Sequence, residues 1–285
     1  NSAGWISRNY RRISASGGNW SSTSSWVEAT VPTANDDVWG IASSGALTIN
    51  AAAACSLIDM SLYTSILTHN ASISLSVGNS AVGSLNFSGS WTYSLGAATT
   101  SAISFVSTST TTQSITWGSK IPGNLTFNGT GGSWLFGDEL DASSITLTLT
   151  AGTLNTNDQT VSISTFVPAN SASAILTLGN SSVTFAGTWN NSGTTAWVLS
   201  ANTSTITGSS VSGKFGGGGQ TTYNNVVLGG YRITDISGAN TFVNLTRTGA
   251  ASRGDGIQFY NNQTITGTLS LQGSSPINRL FIYSS

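Results

Sequence analysis

Three carboxylates close together in the sequence are the first candidates for chemistry. Asp138, Glu139 and Asp141 follow the aromatic segment 133–136. Cleavage of a glycosidic bond requires a pair of carboxylates flanking that bond, one acting as the acid. A solvated turn accounts for the same three residues without any catalysis, and we favour that interpretation. The sequence therefore predicts no catalytic residue and a protein that is not an enzyme.

His69 and Cys55 are the only histidine and the only cysteine of the chain. His69 lies between two β segments without a nearby acid, so we predict a surface or turn residue and no Ser-His-Asp arrangement. Cys55 stands in an alanine-rich segment and is predicted to be a small buried residue. A single cysteine forms no internal disulfide and no multi-cysteine metal site. No cofactor is expected.

Asp36 and Asp37 are adjacent carboxylates that precede a predicted strand. Carboxylate oxygens are ligands for Ca²⁺, so the pair is a candidate metal site. Asp also caps turns through its side chain. We favour the turn and predict no metal.

Tryptophan is concentrated at the start of the chain. Trp5, Trp20, Trp26 and Trp39 lie within the first 45 residues, out of nine tryptophans in all. A solenoid must cover its open end, so we predict a hydrophobic cap. The alternative is a carbohydrate-binding surface, on which flat aromatic faces stack against sugars; the candidates for it are Trp20, Trp26, Trp39 and Trp134.

An arginine group accompanies this segment. Arg8, Arg11 and Arg12 lie beside Trp5 and Tyr10, and Trp, Tyr and Arg are the residue types enriched at interface hot spots. We therefore predict that these five residues form an interface. Nucleic acid is not an expected partner, because tracking phosphates requires a longer basic stripe.

The composition points to association through uncharged surfaces. Only 7% of the 285 residues are charged and the net charge is -1, against about 25% charged residues in ordinary globular proteins. Weak repulsion between copies favours self-association or placement in an assembly. No apolar run is long enough for a membrane helix, so no membrane insertion is expected.

The segment 144–185 shows the pattern that the rest of the chain repeats. In 144–150, Ile145, Leu147 and Leu149 alternate with Thr or Ser. Alternation of this kind places apolar residues on one face of a strand and hydroxyls on the other. One shared core is predicted for a larger set of such residues: Ile145, Leu147, Leu149, Val161, Ile163, Leu176, Leu178, Val183 and Phe185.

The short strands predict an all-β fold, and two architectures compete. A right-handed parallel β-helix, or β-solenoid, with turns of about 20 to 25 residues suits the Asn and Ser/Thr ladders. A β-sandwich or jelly roll would favour tight Asn-Gly or Asp-Gly turns, which are few here. We favour the solenoid. Its predicted segments are a Trp-rich cap at 1–45, solenoid at 46–208, a glycine-rich loop at 209–219 and further solenoid at 220–285.

The N-terminal motif carries a resemblance. The pattern G-x-W-S-x-x-x-x-W from Gly18 to Trp26, followed by V-P-T-x-x-D-D-V from Val31 to Val38, resembles the start of repetitive β-solenoid proteins of bacteriophage virions and tail fibres, and of bacterial surface proteins. The resemblance implies a virion or extracellular structural protein, such as a tail fibre or spike. Other virion proteins, copies of itself and cell-surface polysaccharide are its expected partners. A bacterial adhesin and a polysaccharide-cleaving spike are the alternatives.

Overall fold

The computed structural model describes residues 9–96, 100–190, 196–209, 214–218, 222–230, 233–250 and 254–284. Within these ranges the chain forms strands and a single 3₁₀ turn at Thr23–Ser25, without an α-helix. Accordingly, these ranges hold no helix of the length and apolarity that crossing a bilayer requires. The chain divides into two compact units, residues 1–134 and 135–285.

The first unit is a parallel β-solenoid with three columns of strands. One column is β2–β4–β7–β10, the second is β1–β3–β6–β9–β12 and the third is β5–β8–β11–β13. The strands are β1 (Asn9–Arg12), β2 (Gly18–Asn19), β3 (Asp36–Trp39), β4 (Leu47–Ile49), β5 (Ala53–Cys55), β6 (Leu57–Asp59), β7 (Ile66–His69), β8 (Ser74–Val77), β9 (Leu85–Asn86), β10 (Thr92–Leu95), β11 (Ala102–Phe105), β12 (Gln113–Thr116) and β13 (Asn124–Phe136).

Like residues stack inside this unit because the strands pair in register. Leu75, Ile103 and Leu125 lie one above another, and all three are fully buried. Beside them the rings of Phe105 and Phe127 stack with centroids 4.8 Å apart. Cys55 is buried as predicted.

The second unit is also a parallel β-solenoid. Its longest column runs through β14, β15, β17, β19, β21, β23 and β26. The strands are β14 (Leu140–Asn155), β15 (Val161–Pro168), β16 (Ala174–Thr177), β17 (Ser182–Trp189), β18 (Val198–Ser200), β19 (Thr205–Gly208), β20 (Lys214–Gly216), β21 (Thr222–Leu228), β22 (Ile233–Ser237), β23 (Thr241–Thr248), β24 (Gly256–Phe259), β25 (Thr264–Ile265), β26 (Leu269–Gln272) and β27 (Phe281–Ser284).

The predicted core of this unit is confirmed. Each of its nine predicted residues is at most 3% exposed. Leu147 pairs with Phe166, and Phe166 pairs with Trp189 in the next turn. Strand alternation therefore identified the interior face correctly.

The solenoid prediction is confirmed over the sandwich. The strand ladders whose register the described residues define are parallel, from β1–β3 to β24–β27, and the antiparallel contact between Ile13 and Trp26 is an isolated bridge. Hairpin folds require antiparallel ladders. Turn lengths vary more than the predicted 20 to 25 residues, since Leu85 pairs with Ile115, 30 residues later.

Part of the predicted glycine-rich loop is a strand. Lys214–Gly216 forms β20 and pairs with β17 and β22. Phe215 is fully buried between Trp189 and Ile236, which explains why this segment is held in the column. Residues 210–213 and 219 of the predicted loop lie outside the described residues.

A buried arginine interrupts an apolar column of the second unit. Arg247 occupies the position that Leu228 fills one turn earlier and Leu271 one turn later. Its Nη1 donates a hydrogen bond to the carbonyl of Gly230 at 3.1 Å. Burial lowers the pKa of Arg247, and the negative charge of the buried Asp255 acts in the opposite direction. The interior of the solenoid thus holds an arginine whose guanidinium donates hydrogen bonds to backbone carbonyls, and the charge of Asp255 favours its protonated form.

A charge introduced into the apolar interior tests the strand register. Leu147→Asp should destabilise the protein by about 4 kcal/mol or more, because it buries an unpaired carboxylate. The matched control is Thr148→Asp, which changes the neighbouring, partly exposed residue of the same strand. Urea denaturation followed by circular dichroism measures both. Equal stability of the two variants would show that Leu147 does not face the interior.

Candidate functional site

Three of the four tryptophans of the predicted carbohydrate surface are buried, so that prediction is wrong for Trp20, Trp26 and Trp134. Trp20 and Trp26 are each 2% exposed and pack edge to face with centroids 5.0 Å apart. Trp26 Nε1 donates a hydrogen bond to the carbonyl of Trp20 at 2.9 Å. Trp134 is fully buried against Phe127. None of the three can stack on a sugar; Trp20 and Trp26 belong instead to the predicted cap.

Asp36 closes the turn 33–36 and begins β3 together with Asp37, so the pair is not an exposed metal site. Asp36 Oδ2 accepts hydrogen bonds from the backbone N–H of Thr33 at 2.8 Å and from its hydroxyl at 2.6 Å. Asp37 accepts one from the hydroxyl of Ser56. Both aspartates are 1% exposed. Across the described residues, no group of three or more His, Cys, Asp and Glu side chains is arranged for a metal ion.

The remaining candidates meet in one open cleft, which we call the N-terminal groove. It has a volume of about 670 Å³. The groove is positioned by β1 and β3, which pair so that Arg12 lies opposite Trp39. Its lining residues are Asn9, Tyr10, Arg11, Arg12, Glu28, Trp39 and Ile41. Residues predicted separately for an interface and for a carbohydrate surface thus share one site.

The two described arginines of the groove have different environments because they alternate along β1. Arg11 lies opposite Val38, in a column position that is apolar in the following turns. Its Nη2 pairs with Asp36 Oδ1 at 2.9 Å. The more exposed Arg12 pairs through Nε with Glu28 Oε1, also at 2.9 Å. Arg11 therefore occupies an interior position of the column through its pair with Asp36, whereas the side chain of Arg12 is the more exposed of the two.

The Arg12–Glu28 pair presents charge at fixed positions. Burial alone would raise the pKa of Glu28, but hydrogen bonds from the backbone N–H and guanidinium of Arg12 outweigh it, and the net pKa is lowered. Glu28 is accordingly an anion at neutral pH. An ionised carboxylate beside a guanidinium offers an acceptor and donors to the hydroxyls of a ligand.

Tyr10 and Trp39 form the aromatic part of the groove. Tyr10 is 54% exposed, and its ring meets the partly exposed ring of Trp39 at 60° with centroids 6.2 Å apart. Trp39 is thus the one member of the predicted carbohydrate surface that reaches solvent. Trp5 and Arg8, the other two predicted interface residues, lie outside the described residues.

The three carboxylates of the predicted catalytic alternative lie outside both the N-terminal groove and a second cleft. Glu139 and Asp141 are exposed around the start of β14, and Asp138 is partly exposed. None of the three lines the N-terminal groove or the cleft at the last turn of the second unit.

That second cleft exposes apolar side chains of the last turn. It has a volume of about 530 Å³ and includes Tyr260, Ile265 and Leu269 among its lining residues. Leu269 is 49% exposed, whereas Leu245, its partner one turn earlier, is fully buried.

His69 is buried, contrary to the prediction of a surface or turn residue. It ends β7, and its ring is fixed on both sides. Nε2 donates to the carbonyl of Ile73 at 2.9 Å, so Nδ1 accepts from the hydroxyl of Tyr93 at 2.8 Å. Burial lowers the pKa of His69, although the hydrogen bond to Ile73 acts in the opposite direction. His69 is a neutral structural residue.

The buried histidine predicts a pH dependence of stability. Because the pKa of His69 is lower in the folded than in the unfolded chain, the unfolded chain binds more protons below about pH 6.5. Stability should therefore be complete above that pH and fall as the pH drops toward 5. The variant His69→Gln should lack this fall. Melting temperatures at half-unit pH steps measure it, and superimposable pH profiles of the two proteins would contradict the buried site.

Chelation tests the interpretation of Asp36 and Asp37. Incubation with EDTA should leave the melting temperature unchanged, because Asp36 is already bound by Thr33 and Arg11. Asp36→Asn should lower the melting temperature equally with and without EDTA. A decrease of about 5 °C or more on chelation, corresponding to roughly 1–2 kcal/mol, would instead indicate a bound cation.

Comparison with protein family models, with curated proteins and with solved structures found no match to this chain.

Proposed function

We propose that this chain is a non-enzymatic structural part of an extracellular or virion appendage, a bacteriophage tail fibre or spike, that serves in assembly or attachment to a host surface. The observation that carries the proposal is the parallel β-solenoid with a nearly uncharged exterior. In the described residues of both units, parallel strands stack in repeated turns.

The solenoid suits a structural role because successive turns hold each other. Each strand contributes its backbone hydrogen bonds to the turns before and after it, so stability accumulates along the stack. Polar side chains add to this ladder. Asn244 Nδ2 donates to Asn225 Oδ1 at 2.7 Å, and Thr156 Oγ1 lies 2.7 Å from Ser181 Oγ. Such a stack resists local unfolding and can act as a rigid spacer between its two ends.

The N-terminal groove supplies the attachment surface in this proposal. Tyr10 and Trp39 offer apolar rings, and the Arg12–Glu28 pair offers hydrogen-bonding groups beside them. Aromatic rings with adjacent polar groups match the alternating apolar faces and hydroxyls of a saccharide. Cell-surface polysaccharide is therefore the proposed ligand of the groove, and virion proteins or copies of the chain are the proposed partners of assembly.

Two measurements test the proposal. Antibodies against the purified chain, applied as immunogold, should label the tail or surface of particles from the source material. Fluorescently labelled chain should adsorb to the bacteria on which those particles adsorb, without releasing reducing sugar ends. Gold on bacterial envelopes in the absence of particles would indicate an adhesin. Release of reducing ends would indicate a polysaccharide-cleaving spike, and the non-enzymatic proposal would then be wrong.

A substitution in the N-terminal groove tests whether the groove is the attachment surface. Tyr10→Ala should weaken adsorption to these cells about two- to twelvefold, the loss of roughly 0.5–1.5 kcal/mol of aromatic contact. Tyr260→Ala is the matched control, because Tyr260 is also exposed, at 44%, but lies at the last turn. Adsorption that is unchanged by Tyr10→Ala, or reduced equally by Tyr260→Ala, would exclude the groove as the attachment surface.

A further inference from the structure

The outer face of the longest column in the second unit carries ordered hydroxyls. One file of paired residues follows β15, β17, β19, β21, β23 and β26, and a parallel file lies two residues earlier along four of these strands. We call the two files the hydroxyl face. The first file is Ser162, Thr184, Thr207, Val227, Thr246 and Ser270, and the second is Ser182, Thr205, Asn225 and Asn244.

The spacing of the hydroxyl face is fixed by the backbone. Neighbouring parallel strands lie about 4.8 Å apart, and residues two apart on one strand are separated by about 6.6 Å. From β17 to β26 the four strand pairings of the column, taken one after another, continue without a register shift. The first file, with five intervals, is therefore about 24 Å long.

The side chains of the two files are held in different ways. In the second file the amide ladder from Asn244 to Asn225 continues as a 3.4 Å hydrogen bond from Asn225 Nδ2 to Thr205 Oγ1. In the first file the side-chain hydroxyls have no hydrogen bond to any other described residue, and all are partly exposed. Threonine is stiff at χ1, so these free hydroxyls and their methyl groups stay at the positions that the strands set.

These properties select the kind of ligand. Neither file contains a charged residue; the nearest charge in the column is the exposed Asp141 of β14, which pairs with Ser162 at the end of the first file. A single hydroxyl that exchanges water for a soluble ligand gains about 1 kcal/mol or less. Useful affinity requires many such contacts made together, by a ligand that repeats with the same spacing. A rigid lattice of uncharged hydrogen-bonding groups meets this requirement.

The ice lattice has this spacing. Hydrogen-bonded oxygens about 2.75 Å apart in a tetrahedral network repeat at about 4.5 Å in one direction and about 7.3 Å in the perpendicular one. The corresponding repeats of the face, about 4.8 and 6.6 Å, agree with these within about a tenth. When the first file is aligned with the lattice midway between Thr207 and Val227, the positions of its two end residues differ from lattice positions by less than about 1 Å. We propose that the hydroxyl face binds ice, independently of the attachment function.

Ice growth measurements test this proposal with the purified full chain. A single ice crystal in its solution should become faceted. It should also stop growing over a temperature interval between its melting point and a lower temperature at which growth resumes. Thr207→Lys, at the centre of the first file, should lose most of that interval. Thr148→Lys should keep it, because Thr148 is a partly exposed threonine that lies beyond the register shift in the β14–β15 pairing and pairs with Val167, outside both files.

Circular dichroism melts establish that each variant is folded like the parent. Val227→Thr, which completes the first file with a hydroxyl, should widen the interval. The proposal is overturned if ice in the parent's solution grows as unfaceted discs at every concentration. It is also overturned if Thr207→Lys retains the parent's interval, or if Thr148→Lys loses as much of it.

Discussion

In-register stacking of parallel strands is the constraint on which the rest of the structure depends. Each strand finds its hydrogen-bonding partner one turn away, so that Val183 meets Ile206 and Thr184 meets Thr207. A slip of one residue would turn every apolar side chain of a strand outward. Register therefore decides at once which residues form the interior, which polar groups form ladders and which hydroxyls face solvent.

The same constraint explains where polar residues enter the interior. A column position is shared by residues from successive turns, and a polar residue there must find partners among the neighbouring turns or from nearby backbone. His69 finds the Tyr93 hydroxyl in the next turn, and Arg247 finds carbonyls and the charge of Asp255. At the first turn, Arg11 meets Asp36 in the same way. Substitution of one partner alone would leave a buried polar group unsatisfied.

Alternation within a strand is visible in the sequence, whereas contacts between turns are not. The interior positions of 144–185 could be predicted because each strand displays its own period of two. The burial of His69 depends on Tyr93, 24 residues later, and that of Phe215 on Trp189 and Ile236. Arg247 did leave a signal, since it lies two residues after the buried Leu245 and so on the same face of β23. Residues 10, 28 and 39 come together in the groove only through the pairing of β1 with β3 and the Arg12–Glu28 contact, neither of which is visible in the sequence.

Distances between spin labels along one column test the register most directly. Cysteine pairs at 162 and 246 and at 162 and 270, in a Cys55→Ala background, place labels on residues of the first file. Stacked turns predict separations of about 19 and 24 Å, an increase of about 5 Å for the additional turn. Pulsed electron paramagnetic resonance measures both. A separation that fails to increase from the first pair to the second would contradict parallel in-register stacking.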